Sequence, residues 1–157
     1  MDTFALLKVA HILGATVLFG TGMGTAFQMW MAHLSGDVRA IATVSRNVVL
    51  ADWLFTTPAG VMQPLTGYAM VWLAGYDPTE PWLLAGLGCY LVAGACWLPV
   101  VALQMRVATL TRSALDQGTT LGPDYHRAMR RWFGLGWPAF AAMVLAVWLM
   151  VVRPSLW

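Results

Sequence analysis

Apolar residues dominate four long stretches of the chain, and polar segments separate them. The stretches cover residues 4–31, 48–74, 82–105 and 132–152. Each approaches or exceeds the roughly 20 residues that a helix needs to cross a bilayer. Backbone in lipid must satisfy its hydrogen bonds internally, so we expect helices and no β structure. The pattern predicts an all-α integral membrane four-helix bundle that forms a single domain over residues 1–157.

Turn residues and prolines predict where the helices break. The segment from Gly75 to Pro81 reads GYDPTEP and predicts a tight turn. Pro58 and Pro64 lie inside the second apolar stretch, where we expect a kink that neighbouring helices tolerate. The third helix is expected to continue through its polar end and to break between Gly118 and Pro123.

Composition supports the membrane assignment, since 59% of the residues are hydrophobic and only 10% are charged. The basic residues are unevenly placed, which predicts the topology. One polar loop holds Arg39 and Arg46, and a second holds Arg106, Arg112, Arg127, Arg130 and Arg131. Basic loops stay in the cytoplasm, so we expect both termini on the outer side of a bacterial inner (cytoplasmic) membrane. These arginines are interpreted as topology signals and headgroup contacts, and no nucleic-acid partner is expected.

His11 is the histidine that lies within an apolar stretch, about two turns into the first helix. Neutral imidazole binds iron, copper and zinc well. Gly14 and Leu18 follow on the same helix face, and a glycine one turn from a histidine leaves room for a flat macrocycle such as haem. The alternative is that His11 bonds another helix and Gly14 belongs to a packing face, as the GxxxG pair Gly20 and Gly24 also suggests.

A second axial ligand would have to lie at the depth of His11. Residues expected near that depth are Tyr68, Met70, Gly86, Cys89 and Met150. Methionine is a known haem ligand opposite histidine, so Met70 is a candidate for the iron. A copper site made of His11, Met62 and Met70 is the alternative, because thioether sulfur suits Cu(I).

Asp52 is the acidic residue inside a predicted span. We expect a structural ion pair with Arg46 or another loop arginine, or a helix N-terminal charge. A proton-relay role is the alternative. Cys89 and Cys96 form neither a CxxC nor a CxxCH motif, and we interpret them as packing thiols.

Sequence motifs in three stretches resemble those of a known group of membrane proteins. The stretches are LLKVAHILGA with Lys8 and His11, TTPAGVMQPLTGYAM from Thr56 to Met70, and RWFGLGWPAFAAMVLAVWLMVVRP from Arg131. In order and spacing they resemble an uncharacterised bacterial four-helix family similar to HemJ-type protoporphyrinogen oxidase and to CopD-like membrane proteins. The resemblance implies that His11 binds haem b.

The same resemblance marks departures from the oxidase pattern. The oxidase family has a lysine early in its third helix, where this chain has Gly86. It also has an Asn-Glu pair before a proline, where residues 134–137 precede Pro138 here. Gln28 lies near the place of an expected arginine. Efficient protoporphyrinogen oxidase activity is therefore not expected.

The leading functional hypothesis is a membrane-embedded haem b protein that transfers electrons, with a redox protein or quinone as its partner. A copper-related membrane protein and a cofactor-free structural subunit are the alternatives. Small-residue faces, including Gly88 with Ala95, would suit close helix packing or a homo-oligomer.

Overall fold

The computed structural model describes residues 2–156, and these residues form helices without any strand. The helices are α1 (Thr3–Ser35), α2 (Val38–Ala51), α3 (Thr57–Ala74), α4 (Pro81–Gln117) and α5 (Pro123–Val152). A π-helical segment, Asp52–Thr56, joins α2 to α3 without interruption. The described residues thus form four helical rods, and the expected all-α fold is confirmed.

Two rods begin earlier than the apolar pattern predicts. The second begins at Val38 instead of residue 48, because Asp37 caps it by accepting a hydrogen bond of 2.9 Å from the Arg39 backbone N–H. Ile41, Ser45 and Val48 are buried along one face of this amphipathic α2, although its other face is polar.

The last rod begins at Pro123 instead of residue 132. Proline suits the first turn of a helix, where its missing N–H would have no partner. The first turns of this helix have a buried face with helical spacing, which stabilises the helix although the segment is polar overall. The buried residues are Tyr125, Ala128, Met129 and Trp132. The apolar stretches thus mark where a span can lie, whereas the helices extend beyond them.

The predicted breaks are confirmed. Gly75 and Gly118 end α3 and α4 with φ values of +69° and +62°, the left-handed conformation that glycine adopts without strain. In the turn after Gly75, Asp77 accepts hydrogen bonds from the Thr79 hydroxyl and backbone N–H at 2.7 and 2.8 Å. These bonds hold the pKa of the Asp77 carboxyl below its usual value.

A π-helical segment lies just before Pro58, the first of the two prolines at which we expected a kink. The Thr57 backbone N–H bonds back five residues to the Asp52 carbonyl, and the Thr57 hydroxyl donates to the same carbonyl at 2.8 Å. Pro58 then occupies the first turn of α3, while Pro64 lies inside that helix. The π turn accommodates a proline that offers no N–H to the preceding turn.

The chain divides into two compact units. Among the described residues, the first comprises 2–76 and 108–121, and the second comprises 77–107 and 122–156. Of the described helices, α1, α4 and α5 are long and apolar enough to cross a membrane. The fourth span, expected over residues 48–74, stays a prediction: α3 has 18 residues, and the π-helical segment separates it from α2.

Candidate functional site

His11 of α1 makes a side-chain hydrogen bond with Thr66 of α3. The distance from His11 Nδ1 to Thr66 Oγ1 is 2.8 Å, and Thr66 Oγ1 lies 2.7 Å from the Met62 carbonyl oxygen. A hydroxyl group has one hydrogen to donate. If that hydrogen goes to the Met62 carbonyl, His11 Nδ1 must carry the proton and donate to Thr66. This network assigns the lone pair of the ring to Nε2.

Gln63 ties the backbone of α1 to α3 one turn before Thr66. Its side-chain Nε2 donates to the His11 carbonyl oxygen at 2.7 Å. The side chains of Gln63 and Thr66 are both buried, so polar groups of α3 reach both the ring and the backbone of His11. Hydrogen bonds of this kind stabilise helix pairs in membranes, each contributing about 0.6 kcal/mol on average.

Two glycines allow this close approach. A Cβ atom at Gly14 would lie 2.5 Å from Gln63 Nε2, and a Cβ atom at Gly67 would lie 3.2 Å from His11 Cε1. Gly14 therefore makes room for the Gln63 amide, whereas the sequence suggested room for a macrocycle. Gly67 places the α3 backbone against the edge of the imidazole ring.

The other residues of the first unit that were predicted for this site are Met70, Leu18 and Tyr68. Met70 follows Thr66 by one turn of α3 and is half-buried, and Leu18 follows His11 by two turns of α1 and is also half-buried. Tyr68 is 70% exposed, and its position in α3 lies about 200° around the helix from Thr66. Of these residues, Met70 shares the helix face that contacts His11.

Gly86, Cys89 and Met150 belong to the second unit. The methyl group of Met150 fills the space that a Cβ atom at Gly86 would occupy, so this glycine accommodates a methionine side chain. Cys89 is a half-buried free thiol.

The residues that the sequence did not predict are Gln63, Thr66 and Gly67. The signal for them is the pair of polar residues three positions apart in QPLTG, inside an apolar stretch. Such a pair lies on one helix face and needs partners in a membrane. The partner itself is a residue 55 positions earlier, which no periodicity of the sequence indicates.

The metal-binding side chains near His11 determine which of the suggested cofactors could fit. Residues 2–156 contain no group of three or more His, Cys, Asp or Glu side chains that could hold a metal ion. Haem differs from a bare ion because its macrocycle supplies four ligands and the protein adds axial ones. A neutral imidazole whose Nδ1–H is held by another side chain fits one axial position.

Asp52 is buried, with 5% of its surface exposed, and accepts a hydrogen bond of 2.8 Å from the Thr56 hydroxyl. It is the first residue of the π-helical segment, 14 residues after the helical rod begins at Val38. The expectation that Asp52 is a charge at a helix N-terminus is therefore wrong, because α2 precedes it without a break. Arg46, its expected ion-pair partner, is exposed. The ion pair and the proton-relay role both stay predictions.

The long apolar helices and their many exposed large hydrophobic side chains define an integral membrane protein of the all-helical class. Trp72, for example, is 81% exposed and Val151 is 76% exposed, as expected of side chains that face lipid. The chain belongs to the family described as "Predicted integral membrane protein (DUF2269)", whose model matches residues 5–154. Neither a comparison with curated proteins nor one with solved structures gave a match. The resemblance to HemJ-type and CopD-like proteins stays a prediction.

Proposed function

We propose that this chain is a membrane-embedded haem b protein that transfers electrons, with His11 Nε2 as an axial ligand. The observation that carries the proposal is the hydrogen-bond chain from His11 Nδ1 to Thr66 Oγ1 and on to the Met62 carbonyl, at 2.8 and 2.7 Å. Histidines that bind metals usually donate their other ring N–H to a fixed acceptor. Here the acceptor is itself held by the helix backbone.

Each residue around His11 has a role in this proposal. Thr66 fixes the tautomer and limits rotation of the ring, so that the Nε2 lone pair keeps one direction. Gln63 holds the backbone of α1 against α3 through the His11 carbonyl. Gly67 lets the ring edge approach the α3 backbone. His11 is thus held by two hydrogen bonds and one close contact, which supports the proposal that its ring could act as a ligand.

Haem, when bound, would supply a one-electron redox centre inside the apolar part of the membrane. His11 lies eight residues into α1, about 12 Å along the helix from Thr3. With the positive-inside orientation, this depth is in the outer half of a bacterial inner membrane. Met70, one turn after Thr66 on α3, would be the candidate for a second ligand, and a quinone or redox protein would be the electron partner.

The test is an optical spectrum of the protein purified from cells with sufficient haem. A Soret band and reduced-minus-oxidised α and β bands are expected, and His11→Ala should remove them or shift them strongly. His33→Ala and His126→Ala are matched controls, because both residues lie in polar segments and should leave the spectrum unchanged. Full haem content with an unchanged spectrum in His11→Ala would refute the assignment.

Metal content separates this proposal from the alternatives that the sequence left open. Stoichiometric copper without a Soret band would favour a copper site built on His11 and the α3 methionines. Absence of both metals in wild type, with normal assembly of His11→Ala, would favour a structural subunit in which the His11–Thr66 bond serves only to pack α1 against α3.

A further inference from the structure

Three polar atoms of the second unit are buried without a hydrogen-bond partner among the described residues: Trp97 Nε1, Gln104 Oε1 and Trp132 Nε1. The Gln104 and Trp132 side chains are 7% and 6% exposed. The Gln104 oxygen is a hydrogen-bond acceptor, and the Trp132 indole N–H is a donor. Both lie in helices that are apolar enough to span a membrane, where an unsatisfied polar atom is costly.

The register of α4 and α5 puts Gln104 and Trp132 at the same level. Met150 of α5 fills the space beside Gly86 of α4, so these two positions face each other. Gln104 follows Gly86 by five full helical turns, and Trp132 precedes Met150 by the same number. Pro99 of α4 and Pro138 of α5 lie within these five turns, but neither proline interrupts its helix. Whole turns therefore return each residue close to the face that its helix presents at Gly86 and Met150.

The two helices remain close at this end of the hairpin. Arg106 Nη2 of α4 lies 3.9 Å from Asp124 Oδ2 of α5, just beyond the level of Gln104. Trp97 lies two turns from Gln104, about 10 Å along α4, so its indole is too far away to share one small ligand with Gln104. Trp132 Nε1–H and Gln104 Oε1 are therefore the unpartnered donor and acceptor that this register brings to one level.

We propose that Gln104 and Trp132 hold one buried water molecule between α4 and α5. Water accepts the Trp132 N–H and donates a hydrogen to Gln104 Oε1, which satisfies both atoms at once. Neither side chain is charged, so an ion has nothing here to balance its charge. Buried waters typically bridge two to four otherwise unsatisfied polar groups in this way. The proposal is independent of haem binding.

Replacing Gln104 by Met tests the site through stability, because methionine has a similar size and no polar oxygen. If water is present, Gln104→Met removes one of its hydrogen bonds and lowers the midpoint of thermal unfolding in detergent. The expected shift is about 2–4 °C, that of one typical hydrogen bond in a chain of this length. If the atoms were truly unsatisfied, the substitution would raise the midpoint and overturn the proposal.

Infrared spectroscopy of the wild-type protein tests the water directly. A buried water gives a sharp O–H stretching band that shifts when H₂¹⁸O replaces ordinary water. The band should disappear in Gln104→Met and in Trp132→Phe, and it should persist in the control Trp137→Phe, whose side chain is 72% exposed. Absence of an ¹⁸O-sensitive band in the wild-type protein would overturn the proposal and would favour a direct bond between the two side chains. Persistence of the band in both site variants would also overturn it, because the water would then lie elsewhere.

Discussion

The Thr66 hydroxyl lies between the His11 ring and the Met62 carbonyl and donates to the carbonyl, so the tautomer with Nδ1 protonated lets it accept from the ring. On the haem proposal, Thr66→Val should weaken haem affinity about 10–100-fold, because valine keeps the shape but offers no acceptor to Nδ1–H. Thr66→Ser keeps the hydroxyl and should retain most of the affinity. Haem titration of the purified apo variants measures both, and equal affinities for all three proteins would contradict the role assigned to Thr66.

Glycine at position 14 is required by a close contact, whereas glycine at position 20 is not. A Cβ atom at Gly14 would meet Gln63 Nε2 at 2.5 Å, but a Cβ atom at Gly20 would meet no atom within 4 Å. We expect Gly14→Ala to break the Gln63–His11 bond and therefore to be less stable than Gly20→Ala by about 1 kcal/mol, because both variants gain the same helix propensity.

Gly20→Ala is the matched control for that substitution. It should be neutral or stabilising by up to about 1 kcal/mol, since alanine favours the helix. Thermal unfolding of both variants in the same detergent measures the difference. A Gly14→Ala protein as stable as Gly20→Ala would show that the Gln63 contact is not needed.

At this scale the sequence identified His11 but not the side chains that orient it. An ionisable residue in an apolar stretch is visible in the sequence, because it breaks the local composition. Gln63 and Thr66 contact His11 only through the pairing of α1 with α3, which is a long-range property. The sequence drew attention to Gly14 for the space beside it, but the Gln63 amide that fills this space could not be predicted.

The helices extend beyond the apolar stretches for reasons that hydropathy does not capture. Helix α2 has a buried face over residues 41–48 but an overall polar composition, so a search for long apolar runs passes over it. Capping residues supply the missing signal: Asp37 precedes α2, and a proline opens α5. By contrast, the breaks at Gly75 and Gly118 were predicted correctly, because a left-handed glycine is a local requirement.

The start of α2 at Val38 depends on the Asp37 cap. Asp37→Ala removes the acceptor for the Arg39 N–H, and we expect it to destabilise α2 by about 0.5–2 kcal/mol. Asp37→Asn is the control, because asparagine caps helices about as well. Hydrogen exchange of the amides in residues 38–47 should become faster in the alanine variant only. Unchanged exchange there would mean that tertiary packing alone fixes this helix end.

At the scale of the whole molecule, membrane insertion follows from composition, and the family match agrees with it. Four rods were predicted and four helical rods are found over residues 2–156, although α3 alone does not qualify as a span. Sidedness is different in kind. It depends on how lysine and arginine behave during insertion, so the distribution of charges along the chain predicts it, whereas the fold is the same in either orientation.

Helix α4 offers the clearest test of sidedness, since its 37 residues extend about 55 Å and exceed the roughly 30 Å hydrocarbon core. Its end beyond Arg106 is polar, and there Arg112 forms an exposed ion pair with Asp116 at 2.9 Å. On the positive-inside rule this end lies in the cytoplasm, and the turn that contains Thr79 lies outside.

Cysteine labelling separates the two orientations, after Cys89 and Cys96 are replaced by alanine. In spheroplasts, a membrane-impermeant maleimide should modify Thr79→Cys, whereas Asp116→Cys should react only after the membrane is permeabilised. Both sites are exposed in the structure, so a difference in labelling reports the side of the membrane and not burial. Labelling of Asp116→Cys in sealed spheroplasts, with Thr79→Cys protected, would reverse the topology and place His11 in the cytoplasmic half of the membrane.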